Sequence, residues 1–155
     1  MKIVLPLLLG MLAGAATAHP APSSLLRFEF RAADVRAEYW VPESELEYAR
    51  AADPAGDLPA YLLRHVTAES AAGARWRVAI DSVRKATYLG HPYRVAALTL
   101  APPAGASPAA FVLLDDAVTH EVRNHVVYVV TRRGADSSLV GALQYPARRL
   151  DVPGP

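Results

Sequence analysis

The sequence predicts an all-β fold, an immunoglobulin-like antiparallel β-sandwich with one or two short helical insertions. Apolar and polar residues alternate along most of the chain, as in strands with one face in a core and one in water. About seven such segments follow one another at spacings of roughly 8 to 15 residues, with turn residues between them. That pattern is typical of a sandwich of short strands.

The first two strands are predicted from residues 24–41. Leu26, Phe28 and Phe30 alternate with charged residues, and a second alternating run begins at Val35 after the short connection "AAD". Alternation with a period of two, broken by a short turn, indicates two antiparallel strands. We therefore expect a hairpin with one buried face at the start of the domain.

The period then becomes helical in two segments. "PESELEYARAAD" starts with Pro42 and Glu43, which are typical of a helix start, and it places Leu46 on an apolar stripe. In "DLPAYLLRHV", Asp57 is a candidate N-cap. We expect two short helices that cover one end or edge of a sheet, with the carboxylates of the first helix, Glu45 among them, in solvent.

The remaining segments are predicted to be strands separated by turns. They are "HVTAES", "RWRVAIDSV", "YRVAALTLAP", "AAFVLLDDAV" and "HVVYVVTRR", with a weak last strand in "LVGALQY". Pro and Gly occur in the connections "LGHPY" and "APPAGASP", as expected of turns. We expect "FVLLDDAVTH" and "HVVYVVTRR" to pair as a hairpin, and residues 151–155 to form a disordered tail.

Residues 1–18 have the features of a secretory signal peptide. Lys2 is followed by an apolar run up to Ala16, and small residues precede a cleavage position after Ala18. The run is shorter than the ~20 residues of a membrane-spanning helix. We therefore predict a periplasmic or extracellular protein, with a single domain over residues 19–150 and no membrane span in the mature chain. An uncleaved membrane anchor is the alternative.

The composition argues against several classes of function. The 16 basic and 15 acidic residues almost balance, and no basic patch has interleaved aromatic residues, so nucleic acid is not an expected partner. The chain has no cysteine, so the core must be stable without disulfides. Nucleophile-elbow and phosphate-loop motifs are also absent from the sequence. We therefore predict a protein that is not an enzyme.

Three histidines, His19, His120 and His125, form the predicted metal site. Cleavage after Ala18 would make His19 the first residue, whose amine and ring can bind one ion together. In the predicted hairpin, His120 and His125 would close a four-residue loop and project to the same face. The predicted cofactor, if one is present, is a single copper or nickel ion. The alternative is a loose terminus, with the other two histidines in a polar rim without metal.

Four further polar residues are not among the predicted metal ligands. His65 ends a helical stripe and is expected at the edge of the core, and His91 is expected in a turn. Asp115 and Asp116 follow a predicted strand and are expected to be ionised at the surface, with assistance in metal binding as the alternative. The serines of "PSSLL" have no partner that the sequence alone identifies.

Four short motifs occur in an order that resembles a known family. They are a signal peptide ending in Ala-His, "HPAPSSLLRFEF", "YWVPESELEYA" and "DDAVTHEVRNHVVYV". Together they resemble the N-terminal exported domain of the HupE/UreJ family, the hydrogenase and urease accessory proteins. The resemblance implies an all-β exported domain with a mature N-terminal histidine, His19, and the His-x4-His pair His120 and His125. Family members also carry a metal-handling membrane portion that this sequence lacks, so a separate membrane partner or another task is expected.

The function predicted from these observations is that of an exported, non-enzymatic accessory module. It would bind a transition metal, or dock on a membrane metal transporter or another accessory protein. The alternative is a structural interaction domain without metal, whose aromatic surface, including Tyr39 and Trp40, binds a protein. A remote alternative is a copper-dependent enzyme with an N-terminal histidine site, which would need an open coordination position.

Overall fold

The computed structural model describes residues 22–54 and 56–155, which form two β-sheets and two helices. In chain order the elements are β1 (Ser24–Phe30), β2 (Val35–Pro42), α1 (Glu43–Ala52), α2 (Leu58–His65), β3 (Val66–Glu69), β4 (Arg77–Tyr88), β5 (His91–Ala101), β6 (Phe111–Asp115), β7 (Val127–Arg133), β8 (Asp136–Leu143) and β9 (Arg149–Val152). The predicted β-rich class and the two helical insertions are confirmed.

The strands divide unequally between the two sheets. The larger sheet has six strands in the order β4-β5-β2-β1-β7-β8, and the smaller has three in the order β3-β6-β9. Neighbouring strands are antiparallel, except that β1 and β7 run parallel. The first strand therefore lies in the middle of the larger sheet, next to a strand from the last third of the chain.

The two sheets share one hydrophobic core. Phe28 on β1 and Phe111 on β6 meet edge to face, with ring centroids 5.1 Å apart, and Trp76 packs on Phe111 at 5.0 Å. Leu26 and Phe28 are buried while their neighbours Leu25, Arg27 and Glu29 are only partly buried, as the alternating pattern predicts. Each fully buried side chain of this size contributes roughly 1.5–3 kcal/mol of transfer free energy.

The helices form where local sequence signals predict them. α1 begins directly after Pro42 and buries Leu46 and Ala49. α2 has Asp57 as its N-cap, and the Asp57 carboxylate accepts a hydrogen bond from the Ala60 amide at 2.9 Å. A cap of this kind contributes about 1 kcal/mol. Both helices lie between β2 and β3 in the chain, so the structure confirms the predicted insertion.

The predicted hairpin between β6 and β7 is wrong. β6 pairs with β3 and β9 in the smaller sheet, whereas β7 pairs with β1 and β8 in the larger one. The intervening residues 116–126 carry the chain from one sheet to the other. The alternating pattern identified both strands, but it contains no information about which strands they pair with.

The predicted disordered tail is wrong for its first two residues. Asp151 and Val152 belong to β9, where they pair with Val112 and Phe111 of β6, and Val152 is completely buried. The pairing and the burial of Val152 are possible because the strand-breaking residues begin only at Pro153.

Candidate functional site

The structure places the predicted metal ligands in different surroundings. His19 lies outside the described residues. His120 lies beside His65 and Asp116, and these three side chains are here called the surface histidine cluster. His125 lies instead in the core. Because neither histidine is in a strand, they do not close a hairpin, and the predicted cross-strand pair is wrong.

Asp116 holds both rings of the surface histidine cluster. His65 ends α2 and His120 lies in the turn after β6, and their rings stack at 4.6 Å with an interplanar angle of 17°. The Nδ1 atom of His65 lies 2.8 Å from Oδ1 of Asp116, and Nδ1 of His120 lies 2.6 Å from its backbone oxygen. Because both acceptors face Nδ1, the neutral rings carry their proton there, which leaves a lone pair on Nε2 of His120, whereas Nε2 of His65 faces the Asp53 carboxylate.

Further charges surround the cluster. Nε2 of His65 lies 3.4 Å from Oδ2 of Asp53, and Arg64 donates to the same carboxylate oxygen at 2.8 Å. The hydrogen bond to Asp116 raises the pKa of His65, and the same bond lowers the pKa of Asp116. Asp116 therefore stays ionised to lower pH, and His65 takes up a proton more readily than an isolated histidine.

Tyr61 fixes the cluster to the core. Its ring is buried and lies 4.5 Å from the His65 ring, and its hydroxyl donates a hydrogen bond to the backbone oxygen of Ala117. Burial, together with the nearby carboxylates, raises the pKa of Tyr61 and keeps the hydroxyl protonated. The His65 ring therefore packs on a buried side chain, and the His120 ring stacks on His65.

The arrangement offers two histidine nitrogens rather than a closed metal cage. In the described part of the chain, no group of three or more histidine, aspartate or glutamate side chains is positioned to hold a metal ion. Two imidazole nitrogens of fixed orientation are half of the tetrahedral ligand set that zinc prefers in proteins. Any further ligands must come from solvent, from rearrangement of neighbouring carboxylates or from residues outside the described part.

His125 lies in a second cluster, here called the buried histidine group. Its Nε2 lies 2.8 Å from Oγ of Ser24, the first residue of β1, and its Nδ1 contacts Oε2 of Glu45 in the first turn of α1. Ser24 and His125 are almost fully buried. The prediction that Glu45 is solvated is wrong, because its side chain is 15% exposed and lies against His125.

The side chains of the buried histidine group follow one another as in a catalytic triad, but the residue in the nucleophile position, Ser24, is not accessible. A serine hydroxyl, an imidazole and a carboxyl follow one another as in serine hydrolases. However, Ser24 has no exposed surface, so a substrate carbonyl cannot reach its Oγ in this conformation. Burial lowers the pKa of His125 to about 4 and raises that of Glu45, which favours the uncharged forms of both. The group is therefore suited to joining β1, α1 and the turn before β7.

Buried polar residues continue beyond Ser24. The Tyr39 hydroxyl faces both Ser24 and the Asp115 carboxyl, and burial raises the pKa of Tyr39. Asp115 accepts a hydrogen bond from the Ala117 amide at 3.0 Å, and burial raises its pKa to about 6. The prediction of a surface Asp115 is therefore wrong. Tyr39 is completely buried as well, so it does not belong to an interaction surface.

Several of these residues were missed by reasoning from the sequence. His65 contacts Asp116 across 51 positions of sequence, and Ser24 contacts His125 across 101, so no local spacing relates them. One signal was present. Ser24 shares the alternating pattern of Leu26, which puts it on the core face of β1 and makes a buried hydrogen-bond partner necessary.

Comparisons with models of known protein families and with curated proteins give no match for this chain. Within the residues that the structure describes, neither helix is long and apolar enough to cross a membrane.

Proposed function

We propose that this chain is an exported, non-enzymatic accessory module that binds a transition metal ion through the surface histidine cluster. The supporting observation is that Asp116 accepts from Nδ1 of both His65 and His120, at 2.8 and 2.6 Å. Metal-bound histidines usually donate their other ring N–H to a carboxylate or a backbone oxygen, and that contact fixes the ring. Nε2 of each ring is then the atom that would bind the ion.

The proposed ligand set differs from the one predicted from the sequence. His65 replaces His125, because the His125 side chain is fully buried, whereas His65 is partly exposed beside His120. To bind an ion, Nε2 of His65 would have to leave the Asp53 carboxylate, which it contacts at 3.4 Å. His19 stays in the proposal as a ligand through its terminal amine and ring. Imidazole and amine nitrogens suit copper(II), nickel(II) and zinc(II), with affinity generally highest for copper(II).

Export, family and detailed fold type belong to the same proposal. The signal-like residues 1–18 support export to the periplasm or the extracellular space. The four motifs support a relation to the exported domain of the HupE/UreJ family, and the two packed sheets support an immunoglobulin-like sandwich. A membrane metal transporter would then be the natural recipient of the bound ion.

Calorimetric titration of copper(II), nickel(II) and zinc(II) into the protein spanning residues 19–155 tests this function. We expect one ion per chain, with affinity lowered at least about tenfold in His65→Ala and in His120→Ala. His91→Ala is the matched control, because His91 is exposed at the start of β5, and its affinity should equal that of the wild type.

A second protein, with one residue added before His19, tests the terminal ligand. Loss of affinity on this extension supports a site that includes His19. Unchanged affinity removes His19 from the ligand set and leaves the histidine cluster as the site. Absence of binding in every form would overturn the metal proposal and favour the structural interaction domain.

A further inference from the structure

An exposed apolar surface lies at one end of the outer face of the larger sheet. Leu25 on β1 lies opposite Trp40 on β2 and Tyr128 on β7, and directly opposed residues project to the same face. The surface is here called the aromatic end, and its residues are Leu25, Trp40, Tyr88, Leu89, Tyr128 and Leu139. Most of these side chains border a depression of about 710 Å³.

The most exposed residue of the aromatic end is Leu89, in the turn between β4 and β5. Its side chain is 80% exposed, and Tyr88 beside it is 56% exposed. Leu89 has φ of +49° and Gly90 has φ of +80°. Consecutive positive φ values are typical of a two-residue hairpin turn that favours Asn or Gly. A leucine at this position strains the backbone without being buried, which indicates a role in binding rather than in folding.

Basic side chains border the aromatic end. Arg84 lies over the Trp40 ring, with its guanidinium carbon 5.2 Å from the ring centroid. Arg27 and Arg84 lie 3.5 and 3.7 Å from Glu38, so two cations share one carboxylate in this row of side chains. The border of the apolar surface therefore carries a net positive charge, which complements an anionic surface.

The chain also enters the domain at this end. Pro22 and Ser23 line the depression of the aromatic end. The residues before them, 1–21, include the apolar run that follows Lys2. Before cleavage, a signal segment held in the membrane would lead into the domain beside the aromatic end, and after cleavage the affinity for the bilayer would have to come from the aromatic end itself.

We propose that the aromatic end binds the surface of an anionic lipid bilayer. Leu89 and Tyr88 at the tip of the hairpin enter the boundary of the hydrocarbon region. Trp40 and Tyr128 lie at the depth of the headgroups, where amphipathic aromatic rings are favoured. Arg84 faces the lipid phosphates. This binding is independent of the surface histidine cluster, and it would hold the accessory module at the membrane.

Sedimentation with lipid vesicles tests the proposal, using phosphatidylcholine vesicles with and without phosphatidylglycerol. We expect the protein of residues 19–155 to bind the anionic vesicles more tightly, and added salt to weaken the binding. Trp40 provides a second readout. Its fluorescence should shift to the blue on binding, whereas Trp76, the other tryptophan, is already buried in the core.

The decisive variant is Leu89→Asn. Asparagine adopts positive φ more readily than leucine, so the turn is preserved while the apolar tip is lost. Vesicle affinity should fall by about tenfold or more, the effect of removing one inserted leucine. Leu63→Asn is the matched control, because Leu63 is an exposed leucine on α2, away from the aromatic end, and its affinity should not change.

Each result decides the proposal. Tight binding to anionic vesicles that is lost in Leu89→Asn supports it. No binding by the wild type, or equal binding by Leu89→Asn, overturns it. Self-association or binding to another protein that depends on Leu89, without vesicle binding, also overturns it and assigns the aromatic end to a protein partner. Metal titration of Leu89→Asn should match the wild type, so the two proposals fail separately.

Discussion

The Nε2 atom of His125 lies 2.8 Å from Oγ of Ser24, and this contact joins two residues that are 101 positions apart in the sequence. The other ring nitrogen of His125 contacts Glu45. One imidazole ring therefore links the first strand, the first helix and the turn before β7. A buried polar link of this kind stabilises the fold only while every member has its partner, because an unpaired buried polar group loses its hydration without compensation.

Truncation of this ring should destabilise the protein strongly. His125→Ala leaves the Ser24 hydroxyl and the Glu45 carboxyl without their partner and creates a cavity in the core. We expect the free energy of unfolding to fall by about 2–4 kcal/mol. Urea denaturation measures the change, and His91→Ala is the control with an expected change within about 0.5 kcal/mol. A loss below about 1 kcal/mol in His125→Ala would show that the contact is not important for stability.

Ser24→Ala should have a smaller effect than His125→Ala. The substitution removes one hydrogen bond and leaves His125 in contact with Glu45 through Nδ1. We expect a loss of about 1 kcal/mol in the same denaturation experiment. If Ser24→Ala lowered the free energy of unfolding as much as His125→Ala, the Ser24 hydroxyl would contribute more than its bond to His125 explains. The additional loss would then come from its contact with Tyr39.

The free energy of unfolding should depend on pH through the ionisation of Asp115. Its pKa is raised to about 6 in the folded protein, above the unfolded value of 3.8, so folding is favoured when it is protonated. This contribution is complete below the unfolded pKa and is lost as the pH rises through 6. Relative to Asp115→Asn, the wild type should therefore gain about 2 kcal/mol as the pH falls from 7 to 4. Urea denaturation at each pH measures the difference, and a constant difference would contradict the prediction.

The protonation of His125 should change the free energy of unfolding in the opposite direction over the same range of pH. Its folded pKa of about 4 lies below the unfolded value of 6.5, so its contribution is present above pH 6.5 and is lost as the pH falls towards 4. The two groups therefore offset one another between about pH 4 and 6 in the wild type. Their opposition explains why the single variant Asp115→Asn, rather than the wild type alone, is the informative protein.

Local sequence patterns predicted the secondary structure but not the polar clusters. The alternation around Leu26 and the N-cap at Asp57 depend on neighbouring residues, and the structure confirms the strand and the helix that they predict. The partners of His125 depend on which strands lie side by side. The parallel pairing of β1 with β7 decides this, and it brings together segments separated by about two thirds of the chain. Alternation does not encode such a pairing.

The same reason explains the error at Asp115, which differs from its neighbour Asp116. Both follow the apolar run of β6, and their composition alone is typical of a solvated strand end. In the structure Asp115 belongs to the strand and is 1% exposed, whereas Asp116 begins the turn and contacts His65. Adjacent carboxylates thus have opposite environments, because consecutive side chains at a strand end point to different faces.

Replacing Asp116, which accepts hydrogen bonds from both histidines of the surface cluster, should weaken metal binding although Asp116 is not itself a proposed ligand. Asp116→Asn keeps the backbone oxygen that accepts from His120 but loses the carboxylate that raises the pKa of His65. We expect affinity for copper(II) to fall by about tenfold to a hundredfold, as for other residues that orient metal-bound histidines. Calorimetry at several pH values measures it. If the affinity were unchanged, Asp116 would not orient the ligands.

The strained turn at Leu89 should make its replacement stabilising. Leu89 has φ of +49° and is 80% exposed, so its substitution by Asn relieves strain and removes almost no burial. We expect Leu89→Asn to raise the free energy of unfolding by up to about 1 kcal/mol, measured by urea denaturation without lipid. Leu63→Asn should not raise it, because Leu63 lies in a helix, where asparagine is less favourable than leucine. A destabilised Leu89→Asn would show that the leucine contributes to folding, and the argument that it is kept for binding would fail.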